Sequence, residues 1–199
     1  MTSLPEDLNL NDRLTLIETM IAEGRRSTQR WSWVFLLWGV AYYVAIAWSV
    51  WGRSALAWPV TMIAAALVTG IGRSRVRRHQ PSTTLGRAMG AIWGVMGTVL
   101  FIVLMALGLS GRADWHVSVA IAGAMLAVAN GISGILLRWK MQLASALVWV
   151  ALAVGACFTT DTQTAILSLA AIFFCQIVFG IYAMVLEAHR RRGQGAVHA

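Results

Sequence analysis

The stretch AMGAIWGVMGTVLFIVLMALGL, residues 88–109, contains no Asp, Glu, Lys, Arg or His. At a rise of about 1.5 Å per residue, a helix of this length reaches across a hydrocarbon core of about 30 Å. An uncharged apolar run of this length is typical of a helix that crosses a lipid bilayer. The stretch therefore predicts a membrane-spanning helix.

Five further apolar runs flank this one, and the chain as a whole is 58% hydrophobic and 12% charged. An ordinary soluble domain carries about 25% charged residues. We therefore predict an all-α fold, a bundle of six transmembrane helices. The predicted spans cover residues 31–51, 57–72, 88–109, 117–137, 143–160 and 165–186.

The positive charges lie between the apolar runs rather than within them. Of the 16 Lys and Arg residues, 14 fall on one side of the predicted bundle and only Arg53 and Arg112 on the other. Cytoplasmic loops carry an excess of Lys and Arg, so we place both termini in the cytoplasm. This distribution explains the net charge of +8 without a nucleic-acid partner. The strong preference for Arg over Lys favours a bacterial inner-membrane protein.

The predicted domain organisation has three parts: an amphipathic segment at 1–30, a transmembrane domain at 31–187 and a basic cytoplasmic tail at 188–199. Within the first part, LNDRLTLIETMIAE at 10–23 places apolar residues at helical spacing on one face. We expect Asn11 or Asp12 to cap this helix and Gly24 to end it. It is either an interfacial helix on the anionic inner leaflet or a docking helix for a partner or second subunit.

A resemblance covers about residues 13–45. The residues that carry it are Leu14, Ile17, Glu18, Met20 and Ile21, followed by FLLWG at 35–39. They resemble the opening of a group of small, functionally uncharacterised bacterial multi-pass membrane proteins. The resemblance implies a membrane protein with an amphipathic leader, and it implies no activity.

Three tryptophans recur at nearly equal spacing within odd-numbered spans. Trp38 and Trp93 are 55 residues apart, and Trp93 and Trp149 are 56 residues apart. The spacing is consistent with a threefold repeat of a helical hairpin, as internal repeats are common in membrane transport folds. Any six-span protein with short loops has a similar period, so both interpretations stay open.

The predicted spans contain no Asp, Glu, Lys, Arg or His, which argues against a proton pump or a proton-coupled transporter. No H-E-x-x-H motif or Cys/His cluster has metal-ligand spacing, so we expect no metal, no cofactor and no catalytic residue. We read Cys157 and Cys175 as buried apolar residues. An enzyme acting at the inner surface through Glu187, His79 or His189 is an alternative without a recognisable motif.

Polar side chains inside the spans offer two interpretations. Asn130, Ser133 and Gln176 either form hydrogen bonds between helices or line a pocket for a neutral ligand. For the second interpretation, Gly131 and Gly134 within ANGISG would loosen the helix and free carbonyl groups for the ligand.

Small residues form two motifs that favour close helix packing. The first is GAIWG at 90–94 followed by Gly97, and the second has small residues at every fourth position. We expect these motifs to pack helices within the chain rather than to form a dimer. The predicted packing glycines are Gly90, Gly94, Gly97, Gly123 and Gly131.

The loop GRSRVRRHQPSTTLGR at 72–87 is the most basic segment. We expect its arginines to contact anionic lipid headgroups, with a cytoplasmic partner or a phosphate-bearing ligand as alternatives. The predicted headgroup contacts are Arg73, Arg75, Arg77 and Arg78.

These observations predict a non-enzymatic accessory or interaction protein of the membrane, with a homo-oligomer or another membrane protein as its partner. The alternative is a small transporter or facilitator for a neutral or lipid-like solute. A cavity near Asn130 favours the alternative, and a closely packed bundle favours the interaction protein.

Overall fold

The computed structural model describes residues 10–54, 56–77 and 84–195, and every regular element in these residues is a helix. The all-helical fold class predicted from the sequence is confirmed. The helices are α1 (Leu10–Arg30), α2 (Ser32–Trp51), α3 (Ala57–Arg77), α4 (Thr84–Leu109), α5 (Trp115–Leu136), α6 (Lys140–Gly155), α7 (Asp161–Ile172), a π-helical segment (Phe173–Val178) and α8 (Phe179–Gly195).

Within the described residues, four helices are long and apolar enough to cross a membrane. They are Ser32–Trp51, Leu85–Leu109, Trp115–Leu136 and the continuous helix Asp161–His189 that joins α7 to α8. Two shorter apolar helices, Ala57–Gly72 and Lys140–Gly155, coincide with the second and fifth predicted runs. Each predicted apolar run thus overlaps one helix over most of its length.

The centre of the bundle is built from α5, α6 and the continuous helix that contains the π-helical segment. Trp149 and Leu152 of α6 pack with Leu126 of α5 and Ile172 of α7 in the main apolar cluster. A second cluster around Phe179 lies at the end of the bundle that contains the α5–α6 connection. We call this the Arg138 end, and we call the opposite end, where α5 and α7 begin, the His116 end.

The remaining helices surround this centre. Helix α2 packs against the π-helical segment and α8, and α3 packs mainly on α2. Helix α4 contacts α5 and α1. Of its described residues, only Met89 and Leu100 are buried, and about half of the others are exposed.

The boundary between α6 and α7 differs from the predicted fifth span, which ran to residue 160. Helix α6 ends at Gly155, and a capping box begins α7, in which the Thr160 side chain accepts from the Gln163 backbone N–H. The Gln163 side chain in turn accepts from the Thr160 N–H at 3.1 Å. These bonds satisfy backbone donors at the helix start, and they override the apolar composition of 156–158.

Helix α1 also differs from its prediction, because it continues through Gly24 to Arg30. Gly24 is buried, and a Cβ there would lie 2.9 Å from Leu137 Cδ2 and closer still to Leu85. The glycine therefore allows α1 to approach the Arg138 end closely instead of ending the helix. The predicted cap residues Asn11 and Asp12 lie within the helix.

Candidate functional site

Two of the three side chains predicted to line a polar pocket already have partners inside the bundle. Asn130, Ser133 and Gln176 are all buried. Asn130 Nδ2 donates a hydrogen bond to the carbonyl oxygen of Leu126 at 2.8 Å, one turn earlier on α5. Ser133 Oγ accepts a hydrogen bond from Trp93 Nε1 at 3.1 Å. None of these three residues lines either of the two open grooves described below.

The glycines near Asn130 do not interrupt the helix, so the expected loosening at Gly131 and Gly134 is wrong. Helix α5 runs without a break from Trp115 to Leu136. A Cβ at Gly134 would lie 2.9 Å from the backbone nitrogen of Leu143. This glycine therefore serves the close approach of α6 rather than the release of carbonyl groups.

The unpartnered polar atoms of the core belong to a different pair of side chains. Gln142, in the first turn of α6, is 0% exposed, and neither Nε2 nor Oε1 has a hydrogen-bond partner among the described residues. Gln176 is 3% exposed, and its Oε1 is likewise without a partner there. A buried polar group left in this state costs about 1–3 kcal/mol. Such a group in a native protein calls for a physical explanation, such as bound water or a ligand.

Contacts on both sides of these glutamines place them at one level of the bundle. The rings of Trp139 and Phe179 lie 5.1 Å apart. On the other side, Cys175 Sγ lies 3.7 Å from the carbonyl oxygen of Ser145. Gln142 lies midway in sequence between Trp139 and Ser145. Gln176 lies in sequence between Cys175 and Phe179. The two glutamines therefore lie at a similar level of the bundle, where α6 runs beside the continuous helix.

Gln176 lies within the π-helical segment Phe173–Val178. π-helical turns are rare, and they are frequent at functional sites. Helix α2 approaches this segment closely, because a Cβ at Gly39 would lie 2.9 Å from the Cβ of Gln176. The residue thus sits where α2 and α6 meet the π-helical segment.

Gln142 lies outside the predicted fifth span, which begins one residue later, at 143. A signal for it existed in the spacing of the helix. Gln142, Ser145, Trp149 and Leu152 follow at helical intervals, and all four are buried. Because Gln142 shares this face with Trp149 and Leu152, the spacing predicts that its carboxamide is buried.

The three evenly spaced tryptophans have different hydrogen-bond environments. Trp38 Nε1 donates to Thr69 Oγ1 of α3 at 3.2 Å. Trp93 makes the equivalent bond to a hydroxyl of α5, the helix that follows its own. The Nε1 of Trp149 is buried and has no partner among the described residues. Two of the three hairpins therefore share this bond.

The predicted packing glycines divide into two groups. A Cβ at Gly123 would lie 3.1 Å from the carbonyl oxygen of Trp149, so α5 and α6 are in close contact there. Gly131 makes only an ordinary contact with α6. Gly94 and Gly97 have no heavy atom within 4 Å of an added Cβ, so the expected packing within the chain does not occur at these two positions. Gly90 is half-buried on the same helix.

A polar cluster joins three helices at the His116 end. His116 Nε2 lies 2.7 Å from Asp161 Oδ1, and His116 Nδ1 lies 2.9 Å from the carbonyl oxygen of Ala156. Thr164 Oγ1 lies 3.1 Å from the same Nδ1 and 2.7 Å from Thr159 Oγ1. The cluster thus connects the first turn of α5, the end of α6 and the first turn of α7.

An open groove of about 500 Å³ lies beside this cluster and is lined by His116, Cys157 and Thr159, among others. Cys157 is exposed, which corrects the expectation that it is buried, because α6 ends before it. Cys175 is buried, and both thiols are free.

A second open groove, of about 480 Å³, lies at the Arg138 end between α1 and the start of α6. Glu18, Arg138 and Lys140 contribute its charged groups, and Ile21 and Leu143 its apolar wall. This groove places two basic side chains beside the amphipathic helix.

Three of the predicted headgroup contacts, Arg73, Arg75 and Arg77, belong to the end of α3, which contributes no residue to this groove. Arg75 is exposed. The side chains of Arg73 and Arg77, and the whole of Arg78, lie outside the described residues. Besides the arginines, α1 offers exposed apolar residues for lipid contact, including Leu14, Ile17 and Met20.

Of the residues considered for catalysis, Glu187 and His189 lie in α8. His189 Nδ1 lies 3.0 Å from the carbonyl oxygen of Val185, and His189 is exposed. His79 lies outside the described residues. No group of three His, Cys, Asp or Glu side chains suited to a metal ion occurs among the described residues. Comparisons of the chain with protein-family models, with curated proteins and with solved structures gave no match.

Proposed function

We propose that the chain is an integral protein of the bacterial cytoplasmic membrane, with six spans and both termini in the cytoplasm. The four long apolar helices and the 14 basic residues on one side support this topology. The shorter helices Ala57–Gly72 and Lys140–Gly155 have 16 residues each and extend about 24 Å. They cross the bilayer with local thinning, which costs only fractions of a kcal/mol per Å of mismatch.

Within this membrane, the protein acts as a non-enzymatic interaction protein that binds a transmembrane helix of a partner. The observation that carries this proposal is the open face of α4. The helix Leu85–Leu109 is long and apolar enough to cross a membrane, yet an added Cβ at Gly94 or Gly97 would meet no heavy atom of the described residues within 4 Å. Small residues on a helix face let a second helix approach closely, so the face with Gly94 and Gly97 suits a partner helix.

The comparison with α5 supports the assignment. Gly123 of α5 is covered by Trp149 of α6, whereas the glycine face of α4 is left open by the same fold. The first partner to test is a second copy of the chain, because identical α4 helices bring identical glycine motifs together. In such a dimer the two α4 helices cross at the motif, as in other small-residue helix pairs.

Native mass spectrometry of the protein extracted gently from its own membrane tests this proposal. We expect a homo-oligomer or a stoichiometric protein partner for the wild type and for the control Gly108→Leu, which is open on the same helix. We expect the monomer for Gly94→Leu and Gly97→Leu, because the larger side chain separates the helices. A wild-type monomer, or a complex unchanged by both substitutions, contradicts the proposed interface.

The topology has its own test, a reporter fused after residue 199. A carboxyl-terminal fusion that is active only in the periplasm would contradict the proposed orientation. This result does not depend on the α4 interface. The experiment can therefore contradict the topology without contradicting the interface, and the reverse.

A further inference from the structure

We propose that Gln142 and Gln176 form a buried binding site for a small neutral solute that carries both a hydrogen-bond donor and a hydrogen-bond acceptor. Three polar atoms of these side chains are buried without a partner in the described structure: Gln142 Nε2, Gln142 Oε1 and Gln176 Oε1. A closed apolar bundle gains nothing from such atoms, whereas a ligand that bonds to them removes the cost of their burial.

The position of the two carboxamides supports a shared site. The contacts of Trp139 with Phe179 and of Ser145 with Cys175 hold α6 and the continuous helix in register on both sides of the pair. The π-helical turn at Gln176 changes the regular backbone spacing at this level. The proposed site therefore lies inside the bundle, between these two contacts and beside the π-helical turn.

The chemistry of the pair selects the class of ligand. A carboxamide presents a carbonyl acceptor and N–H donors, so two of them hold a molecule that has both kinds of group. The nearest basic residues along α6 and its preceding turn, Arg138 and Lys140, are exposed at the end of the bundle. A buried ion would lack a compensating charge at the level of the glutamines, which favours a neutral amide or polyol over a charged solute.

The probes for this site are acetamide and glycerol, used in saturation-transfer NMR with the full-length protein in detergent. We expect transfer to at least one probe for the wild type. We expect its loss in Gln142→Met and in Gln176→Met, with an affinity at least about tenfold weaker when the hydrogen bonds are removed. Methionine has nearly the same length as glutamine, so both variants keep the packing.

The matched control is Ser168→Ala, which removes a buried hydroxyl that already donates to the Thr164 carbonyl at 2.7 Å. It should retain the transfer. The unfolding temperature provides a second measurement, and the two Met variants should unfold at the wild-type temperature or above it. Absence of transfer in the wild type, equal transfer in the Met variants, or a clear loss of stability in them would each overturn the proposal. The last result would show that the amides are paired within the protein.

Discussion

Trp93 and Ser133 connect two neighbouring helices, because the indole Nε1 on α4 donates to the hydroxyl on α5 at 3.1 Å. Trp38 and Thr69 make the same connection between α2 and α3, at 3.2 Å. An indole N–H can only donate, whereas a hydroxyl can accept and donate at once. Thr69 does both, since its Oγ1 also donates to the Ala65 carbonyl at 2.8 Å.

A double-mutant cycle on Trp93→Phe and Ser133→Ala measures the strength of this bond. We expect the two substitutions to be non-additive, with a coupling of about 0.6 kcal/mol and no more than about 2 kcal/mol, as for other hydrogen bonds between membrane helices. Unfolding of the purified protein in increasing denaturant gives the four free energies. Fully additive losses would mean that the indole and the hydroxyl do not interact.

The spacing of the three tryptophans indicates that they occupy similar positions in the three hairpins. It does not indicate which residues accept their hydrogen bonds. The two donor–acceptor pairs are separated by 31 and 40 residues along the chain, so no fixed interval identifies the acceptor. Trp149 shows the limit of the pattern, because its buried Nε1 lacks such a hydroxyl in the described structure. Partner positions depend on how the helices cross, which local sequence does not determine.

The two glycine motifs provide a second prediction, tested by Gly123→Ala and Gly94→Ala. A Cβ at position 123 would lie 3.1 Å from the carbonyl oxygen of Trp149, so this variant must push α6 away and lose stability. The same change at 94 meets no heavy atom of the described residues within 4 Å. It should leave the monomer unchanged or stabilise it by up to about 1 kcal/mol, because alanine is the better helix former.

Thermal unfolding of both variants under conditions that keep the protein monomeric checks this contrast. Equal effects at the two positions would contradict the different environments of the two motifs. The sequence indicates small residues at helical spacing on both helices, and it predicted packing within the chain for both. It could not predict which of them the chain covers, because this follows from the placement of α6 against α5.

The polar cluster at the His116 end gives a third prediction, on Thr164→Val. Thr164 is fully buried, and its hydroxyl lies within hydrogen-bond distance of both His116 and Thr159. Valine keeps the shape but removes these bonds, so we expect a loss of about 1 kcal/mol in the free energy of unfolding. Asp161→Asn should have a smaller effect, because its carboxylate is largely exposed to solvent.

Chemical denaturation of the two variants in parallel shows which of them loses more of the free energy of unfolding. A larger loss for Asp161→Asn than for Thr164→Val would show that the exposed ion pair, rather than the buried hydroxyl, holds the helix ends together. His116 and Asp161 are 45 residues apart along the chain, so this cluster could not be recognised from a local motif.

The groove at the Arg138 end gives the last prediction, which concerns anionic lipid. Basic grooves between membrane helices on the cytoplasmic side bind phosphate-bearing headgroups, and each basic side chain contributes about 1 kcal/mol. Arg138 and Lys140 line this groove beside α1. We therefore expect Arg138→Gln combined with Lys140→Gln to weaken phosphatidylglycerol binding by roughly thirtyfold.

Native mass spectrometry with added phosphatidylglycerol measures the bound lipid, and Arg53→Gln is the matched control. Arg53 and Arg138 are both exposed and adopt left-handed backbone angles, with φ of 45° and 47°, so glutamine meets the same backbone strain at either site. Arg53 follows α2 at the other end of the bundle, where the proposed topology places few anionic contacts. Arg53→Gln removes one positive charge and the double variant removes two. A loss of lipid-binding free energy in the double variant that is only twice the loss in the control would therefore mean that binding follows net charge alone.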